Sequence, residues 1–166
     1  MKKANIVLRD PIPGDYGWII SNHGDIYSRE FHFDQQFEID IARKIITLCD
    51  NSGARFKLWI AEVDGERAGS MAVSKLTEAT AFANFVLVLN KYRGMGIAKT
   101  LMNKIIEHCK TSGFKTLRLE TYSCLQDARE LYKTTGFQMT ESTKNMQKYG
   151  QTFDQEFWEL NLPDPS

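Results

Sequence analysis

The chain has 166 residues, enough for one hydrophobic core and too few for two comfortable ones, so a single domain over residues 1–166 is expected. Its 21 basic and 21 acidic side chains cancel, which excludes a global field that would draw it to nucleic acid or to an anionic membrane surface. No apolar run approaches the roughly 20 residues that span a bilayer, and the opening MKKANIVLRDP lacks the apolar stretch of a secretory leader, so a soluble, cytosolic chain is expected.

Taken in chain order, ANIVLRD is strand-like and PIPGD breaks it. A short helical piece follows from Trp18 to His23, with Gly24 as its stop. From Asp34, a plausible N-cap, the apolar positions Phe37, Ile41, Ile45 and Leu48 recur at helical spacing and predict a second helix ending near Asn51-Ser52-Gly53. LWIAEV, Leu58 to Val63, reads as a strand, and Asp64-Gly65 is the strongest short hairpin signal in the sequence. AGSMAVS returns from that turn. After a second turn around Thr77 to Ala79, AFANFVLVL forms a third strand.

Next comes KYRGMGIAKTL, and then an amphipathic helix with Ile97, Leu101, Ile105 and Cys109 in one apolar row and Ala98, Met102 and Ile106 beside it. Gly113 ends that helix. TLRLET is another strand, and Ser123 with Gln126 makes a capping-box pattern for a helix carrying Ala128, Leu131 and Tyr132, ended by Gly136. Strands around Phe137 to Lys144 and Thr152 to Leu162 complete the order. Hairpins flank a central αβα portion, which predicts an α/β (α+β) fold with a mixed sheet rather than a purely parallel one.

The glycine turn carries the chemistry. In Arg93-Gly94-Met95-Gly96-Ile97-Ala98 the two glycines let the backbone turn tightly and approach a ligand, and the first turn of the following helix offers unpaired N–H groups at the positive end of its dipole. Such a site binds phosphate, with Arg93 and Lys99 able to add charge-assisted contacts. A dinucleotide fingerprint would need a third glycine and an early position in a parallel unit, and a nucleotide P-loop would need GxxxxGK followed by Ser or Thr. Neither is present. A bare structural turn is the competing reading.

These residues resemble the R/Q-x-x-G-x-G/A signature of the GNAT superfamily of acyl-CoA-dependent N-acetyltransferases. ARELYKTTGF, Ala128 to Phe137, is similar to that family's later A-x-x-L-Y-x-x-x-G-F block. The resemblance covers essentially the whole chain. The segment GDYGWIISNHGDIYSREFHFDQQFE also resembles the acetyltransferase half of proteins that fuse a MarR-type regulator to such a domain, although this chain has no room for the regulator.

The resemblance implies a mostly antiparallel sheet of about six or seven strands, flanked by about four helices and opened by a V-shaped splay that admits the pantetheine arm of acetyl-CoA. By that resemblance Val86, Leu87 and Val88 pair with the arm, and Arg93, Gly94, Met95, Gly96, Ile97, Ala98 and Lys99 hold the pyrophosphate. Tyr132 matches the family's general acid, and Glu120 stands where some members that acetylate protein N-termini carry a base. Leu125 departs from the pattern, since many members have asparagine there, with Tyr122 and Ser123 close by.

The implied partner is an amine acceptor, a small molecule or peptide. The alternative is a non-catalytic module that senses acyl-CoA or binds a partner. No metal, nucleic acid or membrane partner is expected, and a second copy is a candidate partner through the last strands, rich in Phe153, Phe157 and Trp158. Cys49, Cys109 and Cys124, without a CxxC, are too scattered for a disulfide framework or zinc cluster and read as small buried hydrophobes. His108 falls on the polar helix face and is expected in solvent. His23 and His32, in the first helical region with Tyr27, Arg29, Glu30 and Phe31, read as surface or helix-end residues of the wall that faces the acceptor.

Overall fold

In the computed structural model, which describes residues 4–51 and 56–163, the first element is strand β1 (Ile6–Arg9), broken at Pro11 and Pro13 as their missing N–H groups require. Helix α1 (Asp15–Phe31) follows and is longer than its sequence suggests. Gly24 does not stop it. A Cβ at Gly24 would lie 2.1 Å from Oε1 of Glu38, so this glycine serves the close packing of α1 on helix α2 (Gln35–Asn51), while the turn itself falls at His32, with φ of 60°. Asp34 caps α2 through Oδ1, which accepts from Gln36 N–H at 3.0 Å. Ser52 and Gly53, where the sequence placed the end of this helix, lie outside the described residues.

Strands β2 (Lys57–Val63) and β3 (Glu66–Lys75) meet at Asp64-Gly65, both with positive φ, as a two-residue hairpin turn of the primed type requires. Strand β4 (Thr80–Val88) leads through one 3-10 turn (Asn90–Tyr92) into helix α3 (Ile97–Thr111). Then come β5 (Thr116–Tyr122), α4 (Gln126–Thr135), β6 (Gln138–Lys148) and β7 (Gln151–Asn161). The described strands form one seven-stranded sheet in the order β1-β2-β3-β4-β5-β7-β6, antiparallel everywhere except between β4 and β5.

One face of the sheet is covered by α3, whose Ile97, Leu101, Ile105 and Cys109 are buried with Leu117, Leu119 and Trp158. The other face packs Ile19 of α1 and Ile45 of α2 on Leu58, Ile60 and Phe85. A third, aromatic cluster of Phe33, Phe37, Tyr149 and Phe153 joins the tip of the β6–β7 hairpin to α1 and α2. The Tyr149 hydroxyl donates to Asp40 Oδ2 at 2.8 Å, and the Asp34 N–H donates to Tyr149 O at 3.0 Å.

A buried carboxylate joins β1 to α1. Asp15 is 0% exposed and accepts from Arg9 at 2.7 and 3.2 Å, from Arg67 Nε at 2.7 Å and from the Ile12 N–H at 2.7 Å. Burial alone would raise its pKa, but these donors outweigh burial and hold it at about 2.

Several expectations change. Of the three aromatics of the last strand, Phe153 and Trp158 are buried and Phe157 is half-buried, while the edge strand β6 presents mostly polar, exposed residues. The Ser123–Gln126 capping box does not form: α4 begins at Gln126 with Leu125 at the N-cap, and the Ser123 hydroxyl accepts from the Asp154 N–H at 2.9 Å, a contact across the sheet that local pattern cannot foresee. Cys49 is exposed and Cys124 half-buried, leaving Cys109 as the buried hydrophobe. His108 is half-buried, edge-on to Trp59 at 5.3 Å. Among the described residues no helix is long and apolar enough to cross a membrane, and no group of three or more His, Cys, Asp or Glu could hold a metal ion.

Candidate active site

The site begins with a fault in the sheet. β4 and β5 pair over only three residues each, Thr80–Phe82 with Thr116–Arg118, and then part. A bulge in β4 contributes: the register against β3 slips between Ser70 and Ala72, Phe85 takes a φ of 53°, and the Ser70 hydroxyl holds the Phe85 carbonyl at 2.7 Å. Beyond it, Val86 to Val88 keep β3 on one edge and have no strand on the β5 side. An open strand edge of this kind can pair with an extended ligand.

The chain leaves that edge and turns at Gly94 and Gly96, each with φ of 81°, a conformation that a side chain would strain. Among the described residues no backbone acceptor takes the N–H groups of Gly94, Met95 or Gly96, and α3 starts immediately after, so its first-turn donors point the same way. Edge and turn together line a cleft of about 800 Å³. Val86, Leu87, Val88, Arg93, Gly94, Gly96, Ile97, Ala98 and Lys99 all border it; Met95 does not, and its side chain stands out in solvent. The opposite wall is Tyr27 and Glu30 of α1 with Cys124 to Ala128 at the start of α4.

Sequence reasoning did not anticipate what Arg93 touches. Its guanidinium forms a two-pronged pair with Glu30, at 2.8 and 2.9 Å, across the cleft mouth. The contact spans 63 positions, so no local pattern could have signalled it. Burial pushes the Cys124 thiol up, which keeps it protonated and unsuited to nucleophilic attack.

A second, smaller cavity of about 130 Å³ lies inside the split, between Phe82–Val86 of β4 and Leu119–Tyr122 of β5. It shares Tyr27, Val86, Leu125 and Ala128 with the cleft, so the two spaces meet at those residues. Tyr132 borders this cavity. It is 3% exposed, its ring packs on Phe137 and Trp158, and burial, helped by the neighbouring Tyr27, pushes its hydroxyl well above the usual tyrosine range. Burial likewise raises Tyr27 to about 12. Both phenols therefore hold their protons at neutral pH.

Glu120 borders the same cavity, with Oε1 accepting from Gln155 Nε2 at 2.9 Å. His23, expected at the surface, is instead 2% exposed and also borders the cavity. Its Nδ1 lies 2.8 Å from the Ile19 carbonyl, which can only accept, so the proton sits on Nδ1 and Nε2 is left as an acceptor. Burial lowers its pKa to about 4 and keeps the ring neutral. The signal was available in hindsight: His23 falls one helical turn after the core residue Ile19. His32 is the exposed residue where α1 ends. Leu125, at the N-cap of α4, borders both spaces and puts an apolar side chain where they join.

An unpaired strand edge, a turn of free N–H groups beside Arg93 and Lys99, and a long cleft suit a ligand that combines an amide-bearing arm with phosphates. That is the description of acetyl-CoA, which these residues fit. The comparisons agree. Residues 20–137 match the model of the acetyltransferase (GNAT) family. A ribosomal protein bS18-alanine N-acetyltransferase of Haemophilus influenzae is 31% identical over 120 residues, covering 68% of this chain and 80% of that protein. N-acetyltransferase 8B of Mus musculus is 29% identical over 131 residues, but the match spans only 50% of its length. Among solved structures, the yncA protein of Salmonella typhimurium with its cofactor acetyl-CoA superposes with a TM-score of 0.79 over 98% of this chain and 96% of that one, at 16% identity, a likeness of fold. With sequence match, fold and cleft in agreement over the same residues, the chain belongs to the acetyltransferase (GNAT) family.

Proposed function

We propose that this chain, as one domain over residues 1–166, moves an acetyl group from acetyl-CoA to a primary amine of a small molecule or peptide by direct attack, with Tyr132 as the general acid. The observation that carries the reading is that the two spaces adjoin: a cleft edged by the glycine turn shares Tyr27, Val86, Leu125 and Ala128 with a cavity lined by Tyr132 and Glu120. The thioester supplies an activated acyl carbon when acetyl-CoA is bound. The amine nitrogen forms a bond to that carbon as the carbon–sulfur bond breaks. Glu120 receives the proton shed by the amine, directly or through water, and Tyr132 gives its phenolic proton to the departing sulfur. The tyrosine, kept protonated by burial, is suited to give a proton and poorly suited to take one. In this reading residues 14–38 are akin to the acetyltransferase half of MarR-type fusions, and α1 with the start of α2 walls the acceptor side.

The test is calorimetric titration of acetyl-CoA. Gly94 and Gly96 are poor sites for a blocking residue, because any side chain there strains the backbone. Ala98 sits in helical backbone on the cleft wall and is the cleaner site. Wild type is expected to bind, and Ala98→Trp to lose at least about tenfold in affinity with an unchanged unfolding temperature. Failure of wild type to bind would remove the proposal. Binding without turnover of any amine would return the chain to the sensing reading.

The Arg93–Glu30 pair gives a second expectation. If Arg93 meets the cofactor phosphates, it must leave Glu30, so Glu30→Gln is expected to tighten acetyl-CoA binding by about two- to fivefold, the scale of one partly exposed ion pair. The same titration checks it, and weaker binding in Glu30→Gln would place Arg93 outside the phosphate site.

A further inference from the structure

The small cavity holds polar groups that the fold itself does not use. Asn84 is 3% exposed; its amide nitrogen donates to Ser74 Oγ and to the Phe82 carbonyl, both at 3.0 Å, while Oδ1 has no partner. Thr121, 2% exposed on the facing strand, has an equally unpartnered Oγ1. These are the two buried side-chain atoms without a hydrogen bond among the described residues, and both residues border this one cavity. Glu120, the residue before Thr121 on β5, borders the same cavity, so the cavity is lined by two fixed acceptors, Asn84 Oδ1 and the carboxylate, and by a hydroxyl that can accept or donate, a set that suits a ligand with N–H donors.

The same cavity also has a cation on its lining, close enough to Glu120 to feel its charge. Lys44 reaches in from α2 with its ammonium 5.1 Å from the ring centre of Phe82 and 5.8 Å from that of Phe85. Lys44 makes no ion pair or hydrogen bond among the described residues, and the protein atoms around its ammonium lower its pKa, an effect that Glu120 opposes. Aromatic faces favour a cation there, and its N–H donors, bonded to no described protein group, can meet an oxygen of a ligand.

We infer that the acceptor of this enzyme is a free amino acid, seated with its amine among Asn84, Thr121 and Glu120 and its carboxylate against Lys44. The cavity volume of about 130 Å³ is well below that of ordinary drug-sized sites, which favours a small acceptor over a peptide. The amine end lies in the cavity that Tyr132 borders, which is where the proposed acetyl transfer needs it. This inference rests on the acetyltransferase reading above.

The experiment follows thiol release from acetyl-CoA with the common L-amino acids, β-alanine and γ-aminobutyrate, each beside its methyl ester and its decarboxylated amine. One or more acids should be used with kcat/KM at least about tenfold above both counterparts. Lys44→Met should raise KM for that acid about tenfold while leaving KM for its ester within about twofold and calorimetric acetyl-CoA affinity unchanged. Lys44 is exposed on its helix, so this variant is expected to fold. Esters and plain amines used as well as the acids, or a Lys44→Met loss common to acid and ester, would overturn the inference and leave acetyl transfer standing. Acetyl-CoA binding with no amine used would also overturn it. Absence of acetyl-CoA binding would remove the acetyltransferase reading itself, and the inference with it.

Discussion

Tyr132→Phe is expected to lower kcat by about 10²-fold or more while leaving acetyl-CoA affinity within about threefold, the signature of a lost proton donor. The substitution keeps the ring against Phe137 and Trp158 and deletes only the hydroxyl, which has no hydrogen bond to another described side chain. Unfolding free energy should therefore change by less than about 1 kcal/mol, because no partner is left unsatisfied. Steady-state kinetics with a colorimetric thiol readout decide it. Full activity in Tyr132→Phe would assign the proton to another donor, and Tyr27, at the junction of the two spaces, would be the next to replace. The pH dependence has a definite sign: the hydroxyl pKa is raised, so the donor is lost only on the alkaline side, above the ordinary tyrosine value of about 10.

The largest effect on stability is expected at Asp15. Asp15→Ala removes the one carboxylate that Arg9 and Arg67 share and strands their guanidinium groups, at a cost of about 3–5 kcal/mol in urea unfolding. Arg9 retains Glu62 at 2.8 Å, which argues for the lower half of that range. Acid titration gives an independent check. The folded pKa of Asp15 is depressed from 3.8 to about 2, so its contribution is complete above about pH 4 and disappears as pH falls through 2. That interval should carry about 2 kcal/mol in wild type, and the corresponding slope should vanish in Asp15→Ala. An unaltered acid slope in the variant would move the effect to other carboxylates.

What the sequence made legible was local. Asp64-Gly65 specifies its own turn geometry, the apolar rows of α3 repeat at helical spacing, and the glycines at 94 and 96 mark a turn between strand and helix, so β2 to α3 could be placed in order. Even so, the second tight hairpin, at Tyr149-Gly150, was less visible, because a tyrosine with φ of 57° carries none of the side-chain chemistry that announces such a turn. Gly24 looked like a helix stop because its reason for being small is Glu38 on another helix.

The same separation runs through the site. Arg93 and Lys99 announce themselves beside a phosphate-type turn, whereas Glu30, Asn84, Thr121 and Lys44 gain meaning only from groups that folding brings near. Their neighbours sit on different elements, and no periodicity of one segment encodes a contact between two.

The split between β4 and β5 is framed rather than hinged. At one end stand the three residue pairs from Thr80 to Phe82; at the other, the aromatic cluster binds the β6–β7 hairpin to the same two helices that pack on Phe85 of β4. Helices α1 and α2 thus act as a brace across the opening, fastened to both of its banks. A gap braced in this way has a width set by side-chain volumes in the brace, among them Tyr27, Phe37 and Ile41. New acceptors would then be reached in evolution by resizing residues of α1 and α2, with the glycine turn and the sheet left untouched.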